Sequence, residues 1–141
     1  MLEERSSEPK TTDETASQGV ITTHRAGELD DAISLTVRDD PGPGGAHHLY
    51  FIDVNNPDPE MENSRTVIKF QKGGVKEAGY NGISNEALLA IVQHRLECFQ
   101  RGPFACEFNS HALSHVSQAL DMLKARTRER QTRGVEGKSE A

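Results

Sequence analysis

Apolar residues follow two different rhythms along this chain. From Val20 to Phe70 they come in short β-prone runs: Val20-Ile21-Thr22-Thr23, Ala32 to Val37, His48 to Val54, and Thr66 to Phe70. Turn-forming stretches separate them, Asp39-Asp40-Pro41-Gly42-Pro43-Gly44-Gly45 and Asn55-Asn56-Pro57-Asp58-Pro59. Such spacing predicts a small, mostly antiparallel sheet. Alternation puts Ile33, Leu35 and Val37 on one face. In the next strand it leaves two options open, Leu49 with Phe51 or Tyr50 with Ile52 and Val54. After Gly79 the period lengthens. Leu88, Leu89, Val92, Leu96 and Phe99 recur at helical spacing, and Ser84 or Asn85 can cap that helix, with Glu86 in its first turn. Gly102-Pro103 breaks it. Phe108, Ala112, Leu113, Val116, Ala119, Leu120 and Leu123 then form a second stripe. Two amphipathic helices with a two- to four-residue break predict an antiparallel helical hairpin.

The fold class expected is therefore α+β, a sheet followed by a C-terminal hairpin. Residues 1–18 hold Met1 and Leu2 as their large apolar residues and read as a disordered tail. Residues 19–75 form the β-rich part, 76–133 the hairpin and 134–141 a C-terminal tail. A hydrophobic content of 34%, no tryptophan and a mean hydropathy of -0.66 in 141 residues predict a single domain with a thin core, of the kind often completed by oligomerisation. The second helix, taken from Phe104 to Arg130, would extend ~40 Å at ~1.5 Å per residue, well past the first. A neighbouring subunit would clothe that overhang.

A net charge of -6 argues against binding to long nucleic acid. The charge is segregated, however. Nine acidic residues and one basic residue, Arg38, lie between Glu28 and Glu62; five basic residues and one acidic residue, Glu129, lie between Lys124 and Arg133. A basic pocket for a compact anion is compatible with an acidic whole. Cys98 and Cys106 read as reduced core thiols. No signal peptide or membrane-length apolar run is evident, which predicts a cytosolic protein.

Catalytic and metal constellations are poorly supported. Gly42 to Gly45 lacks the Lys-Ser/Thr ending of a phosphate loop and sits between strands, so a plain β-turn is expected. His111 and His115 have the i, i+4 spacing of helical metal ligands but no obvious third ligand, and His47-His48 begins a strand. All read as surface histidines, with no metal and no cofactor. Two-histidine phosphodiesterases need two His-x-Ser/Thr elements, and His115-Val116-Ser117 alone fits. No Ser/His/Asp or Cys/His set has legible spacing.

The arginines carry more. At ~100° per residue, Arg95 falls beside Leu88 and Ile91, and Arg126, Arg130 and Arg133 continue the line of Phe108, Ala112, Ala119 and Leu123. Guanidinium groups stack on bases and fork onto phosphates. Tyr80 lies in the glycine-flanked turn before the first helix, followed by Asn81-Gly82, which suits a positive-φ turn. Read alone, Tyr80 is a loop aromatic capping the core.

A family resemblance changes that reading. The stretch GGVKEAGYNGISNEALLAIVQHRLECFQRGPFACEFNSHAL, with LKARTRERQTRGVEG after it, resembles the helical hairpin of phage cyclic-nucleotide sponges, the anti-CBASS and anti-Thoeris proteins. It covers about residues 68–138 through a GxNG turn, a Leu/Ile-rich helix, FQxGPFAC and RGVEG. One departure is Lys138, where family members often have threonine. The resemblance implies non-catalytic sequestration of immune signals in the cytoplasm of an infected bacterium. It implies a homo-oligomer, a hexamer as in the family. It also implies cyclic dinucleotides, cyclic trinucleotides or cyclic ADP-ribose isomers as ligands. Position by position it implicates Tyr80, Asn81 and Arg95 in a dinucleotide pocket at a subunit interface. Arg126 and Arg130 are the candidates for a second, trinucleotide site. An enzyme degrading the same signals and a phage interaction or assembly module are the alternatives.

Overall fold

The structure, a computed structural model, describes residues 19–135, 137 and 138. The tail assigned to 1–18, and part of that assigned to 134–141, lie outside the described residues. The chain divides into two compact units, Met1–Lys72 and Gly73–Ala141. The fold is α+β, as the two apolar rhythms predict.

The first unit is a four-stranded antiparallel sheet in the order β1-β2-β3-β4, with β1 at Gly19–Ile21, β2 at Ile33–Val37, β3 at Leu49–Val54 and β4 at Ser64–Lys69. Register settles the open choice of face. Ile33 pairs with Val54, Leu35 with Ile52 and Val37 with Tyr50. Opposed residues share a face, so Tyr50, Ile52 and Val54 join the apolar side, and Tyr50 meets Phe70 edge-on at 5.7 Å. Phe51 points the other way. It is not bare there, because the guanidinium groups of Arg38 and Arg65 lie 4.5 and 4.4 Å from its ring centroid. Arg65 is held in turn by both carboxylate oxygens of Asp53, at 2.6 and 3.2 Å. Arg38, the lone cation of the acidic stretch, is thus part of a cation–π arrangement on the sheet.

Between β1 and β2 the chain forms a single helical turn, α1 at Glu28–Asp31. His24 Nε2 donates to the carbonyls of Asp30 and Ile33 at 3.1 and 2.9 Å, which gives that histidine a structural role. The Gly42 to Gly45 stretch is a single 3₁₀ turn at Pro43–Gly45, closed by the Gly45 N–H on the Gly42 carbonyl at 2.9 Å, and not the plain β-turn expected. Gly44 and Gly45 adopt φ of 74° and 84°, and Gly42 N–H donates to the carbonyl of Ala46. No helix follows to present amides to a phosphate; the chain passes into β3.

The second unit contains α2 at Val75–Ala78, α3 at Asn85–Gln100 and α4 at Glu107–Arg133. Ser84 caps α3, its hydroxyl accepting from the Ala87 N–H at 3.1 Å. The break between the long helices runs from Arg101 to Cys106, longer than the two to four residues expected, because α4 starts at Glu107 and not at Phe104. Pro103 does not open the helix. The Cys106 thiol is the N-cap instead, accepting from Asn109 N–H at 3.4 Å. Both cysteines are free, as expected, but they are exposed and not core residues. Two hydrogen bonds fix the antiparallel register, Gln93 Nε2 to Ser117 Oγ at 3.0 Å and Thr127 Oγ1 to Glu86 Oε2 at 3.3 Å.

The second helical stripe splits in two. Leu113, Val116, Leu120, Leu123 and Thr127 turn toward the hairpin interior, and Leu120 is only 7% exposed. Phe108, Ala112, His115, Ala119, Met122 and Arg126 form a separate exposed line. At 100° per residue Phe108 and Arg126 share one angle, so both lines have helical spacing and a linear reading merges them. The core is thin: Val37 and Leu120 are the two buried hydrophobic residues among the described ones. No helix among the described residues is long and apolar enough to cross a membrane.

Candidate functional site

Tyr80 and Asn81 sit in the turn between α2 and α3, and both are exposed, Tyr80 to 91%. The turn is entered through Gly79 at φ 75°, a conformation that disfavours side chains. A phenol ring this bare contributes little to a core, so it does not cap one here. It is available to a flat ligand or a partner surface.

Arg95 lies on the outer side of α3, exposed, with its guanidinium 5.6 Å from the centroid of the Phe99 ring. It follows Glu86 by nine positions, ~14 Å along the axis at ~1.5 Å per residue. Tyr80 precedes α3, so one copy of the chain separates Tyr80 and Asn81 from Arg95 by roughly that rise.

The hairpin register places the other arginines. Thr127 meets Glu86 in the first turn of α3, so neighbouring Arg126 comes to the end of α3 at which the Tyr80 turn enters. Arg126 is exposed. Arg130, one turn further, is half-buried, and its Nη2 donates to the carbonyls of Val135 and Lys138 at 3.2 and 2.7 Å. Arg133 pairs with Glu129 at 2.6 Å. The overhang of α4 is therefore partly clothed by its own chain. A cavity of about 290 Å³ lies there, lined by Val75, Lys76, Gln131, Gly134 and Gly137. Sequence reasoning missed α2 and this cavity, since four residues carry no periodicity. The glycine pattern Gly73-Gly74 and RGVEG was the available signal.

His111 and His115 are both exposed on α4, and no group of three or more His, Cys, Asp or Glu side chains arranged to hold a metal ion occurs among the described residues. Cys98 Sγ lies 3.8 Å from His94 Nε2 and accepts from Arg101 Nη2 at 3.4 Å, contacts within one face of α3.

No protein-family model matches the chain. Over 74 residues it is 47% identical to a protein named Thoeris anti-defense 1 from Bacillus phage SBSphiJ7. Over that stretch the chain is similar to this phage anti-Thoeris protein. The matched stretch covers 52% of this chain and 52% of that relative, so the similarity spans about half the length of the anti-Thoeris protein. The resemblance to phage anti-Thoeris proteins is thereby borne out.

Proposed function

We propose that the protein counters the bacterial Thoeris defence by binding and holding its cyclic nucleotide signal without turning it over. The observation that carries this reading is the 47% identity to a phage protein named for anti-defence. The chemistry of the exposed residues supports it. Tyr80 offers a ring face for a base or ribose edge, and Asn81 offers amide donors and an acceptor beside it. Arg95 and Arg126 offer guanidinium forks for phosphates. A sponge needs affinity and copy number, and none of these groups has to activate a nucleophile.

Tyr80 and Arg95 stand apart in one copy, so a pocket using both takes them from two. A homo-oligomer, a hexamer in this reading, brings the exposed outer faces of α3 and α4 together and covers Ile91, Phe108 and Met122, which are 58, 87 and 70% exposed. The ligand class in this reading is a cyclic ADP-ribose isomer or a cyclic di- or trinucleotide; a protein that held the last two would act on CBASS signals as well as Thoeris signals. The site of action is the cytoplasm of the infected host.

The test is retention. The protein is incubated with a panel of cyclic nucleotides that includes cyclic ADP-ribose isomers, filtered, denatured and analysed by mass. Release of an intact ligand is the expected result. Recovery of a cleaved product would make it an enzyme acting on the same signals. Retention of nothing would leave a protein-interaction module. In the retaining protein, Tyr80→Ala should lower affinity by removing a stacking surface worth ~1–3 kcal/mol per base.

A further inference from the structure

The end of α4 is closed by a Schellman motif. Gly134 adopts the left-handed conformation at φ 79°, and the Val135 N–H returns to the carbonyl of Arg130 at 3.0 Å. The chain then turns again through Gly137, at φ 87°, with Lys138 N–H donating to Val135. This second turn brings the Gly137 carbonyl to the Lys76 N–H of α2, at 2.9 Å. The approach is backbone to backbone. A methyl group on Gly74 would overlap the Gly137 carbonyl and lie 2.5 Å from Lys138 Cα. Arg130 Nη2 spans the same turn from inside, bonded to the carbonyls at both ends of it, Val135 and Lys138.

α2 is four residues long, too short to hold its own place by helical hydrogen bonding. Its C-cap is Gly79, and the next residue is Tyr80. Tyr80, at 91% exposure, has little packing of its own to fix it. The Tyr80 turn is held on its far side by Ser84-capped α3 and on its near side by α2, whose own place is set in part through the C-terminal turn.

We propose that Arg130 is a positioning residue for the Tyr80 turn, acting through the Val135–Lys138 segment and α2, and not a ligand contact of a separate second site. The effect on binding rests on the sponge reading above; the effect on the turn does not. Loss of the strut lets α2 and the turn sample arrangements that do not bind, and apparent affinity falls in proportion to the competent fraction. A turn correctly placed one tenth of the time weakens binding ~tenfold.

The experiment compares Arg130→Met, Arg130→Lys and Gly74→Ala with the wild type, using Arg128→Met, an exposed arginine of the same helix, as control. Hydrogen–deuterium exchange is followed at the amides of residues 75–82, and affinity for cyclic ADP-ribose and cyclic di-AMP is measured by calorimetry. Faster exchange over 75–82 in Arg130→Met and Gly74→Ala, with matching ~tenfold losses of affinity, is expected. Arg130→Lys should recover part of both, because an ammonium still reaches one carbonyl, and Arg128→Met should change neither. Unchanged exchange in Arg130→Met overturns the proposal, as does faster exchange with unaltered affinity. If the wild type binds neither probe, the sponge reading fails for those ligands. The exchange data then decide the positioning role alone, a rise supporting it and its absence refuting it.

Discussion

Leu120→Ala tests whether the hairpin is held by its interior or by something outside it. Leu120 is 7% exposed and lies on α4 between the two hydrogen bonds that set the hairpin register, Gln93–Ser117 and Glu86–Thr127. Leu-to-Ala changes at buried sites cost about 2–5 kcal/mol, most where the surroundings cannot collapse. Here Val116 and Leu123 on the same face are only half-buried, so they can relax and water can reach the gap. That puts the cost at the low end, about 2–3 kcal/mol. A unit the size of Gly73–Ala141 has on the order of 3–10 kcal/mol of stability. The loss is thus a large fraction of what the unit has. Met122→Ala is the contrast. Its side chain is 70% exposed on the outer line of α4, and truncating it in an isolated chain should cost less than about 0.5 kcal/mol. Urea unfolding followed by far-UV circular dichroism, at two protein concentrations tenfold apart, reads both. A Leu120→Ala protein within about 0.5 kcal/mol of the wild type would refute the interior-core account. A Met122→Ala loss that grows with concentration would place the stabilising contact on the outer face, between copies.

Two further predictions concern the caps. Ser84→Ala removes the acceptor for Ala87 N–H and should destabilise by about 1 kcal/mol, read as a lower midpoint in a thermal melt, with Ser84→Asp restoring it. Cys106→Asp should raise the midpoint by the equivalent of about 0.5–1 kcal/mol, because a carboxylate is a stronger acceptor than a thiol for Asn109 N–H and suits the positive end of α4.

The parts legible in the sequence were those whose signal repeats locally. β-branched runs between proline-glycine turns gave all four strands, and the apolar spacing after Ser84 gave α3 with its cap. The rest depended on partners distant in the chain. Phe51 and Ile52 are equally apolar, and only pairing with β2 and β4 decides that Phe51 faces Arg38 and Arg65. Gly102-Pro103 marks a break, so a linear reading starts α4 at Phe104, three residues early; the cap is a cysteine, a residue type with little capping preference. Arg126 and Arg130 look alike in sequence. They differ because the chain after Gly134 folds back to bind one of them, and no periodicity within α4 records that.

The family motifs, taken one by one, separate by their place on the hairpin. FQRGPFAC spans residues 99–106 and closes the hairpin: Gln100 Oε1 accepts from Cys106 N–H at 3.1 Å, Asn109 Nδ2 donates to the Phe104 carbonyl at 3.4 Å, and the rings of Phe99 and Phe104 lie 6.3 Å apart. Those bonds are what two helices need in order to turn back on each other. At the other end the helices could simply stop, as the first does at Ser84. Instead α4 runs on for six residues beyond Thr127, nearly two turns, and Gly137 past its end bonds back to Lys76 of α2, immediately ahead of the GYNG turn. Closing the hairpin does not require that construction, and it leaves Tyr80 bare. Two motifs some fifty residues apart in sequence, GYNG and RGVEG, are tied together through Lys76 and Gly137. In the proposed sponge reading, this built and exposed end carries the ligand contact. The closed end, by the same argument, carries the geometry that lets α3 and α4 meet in register.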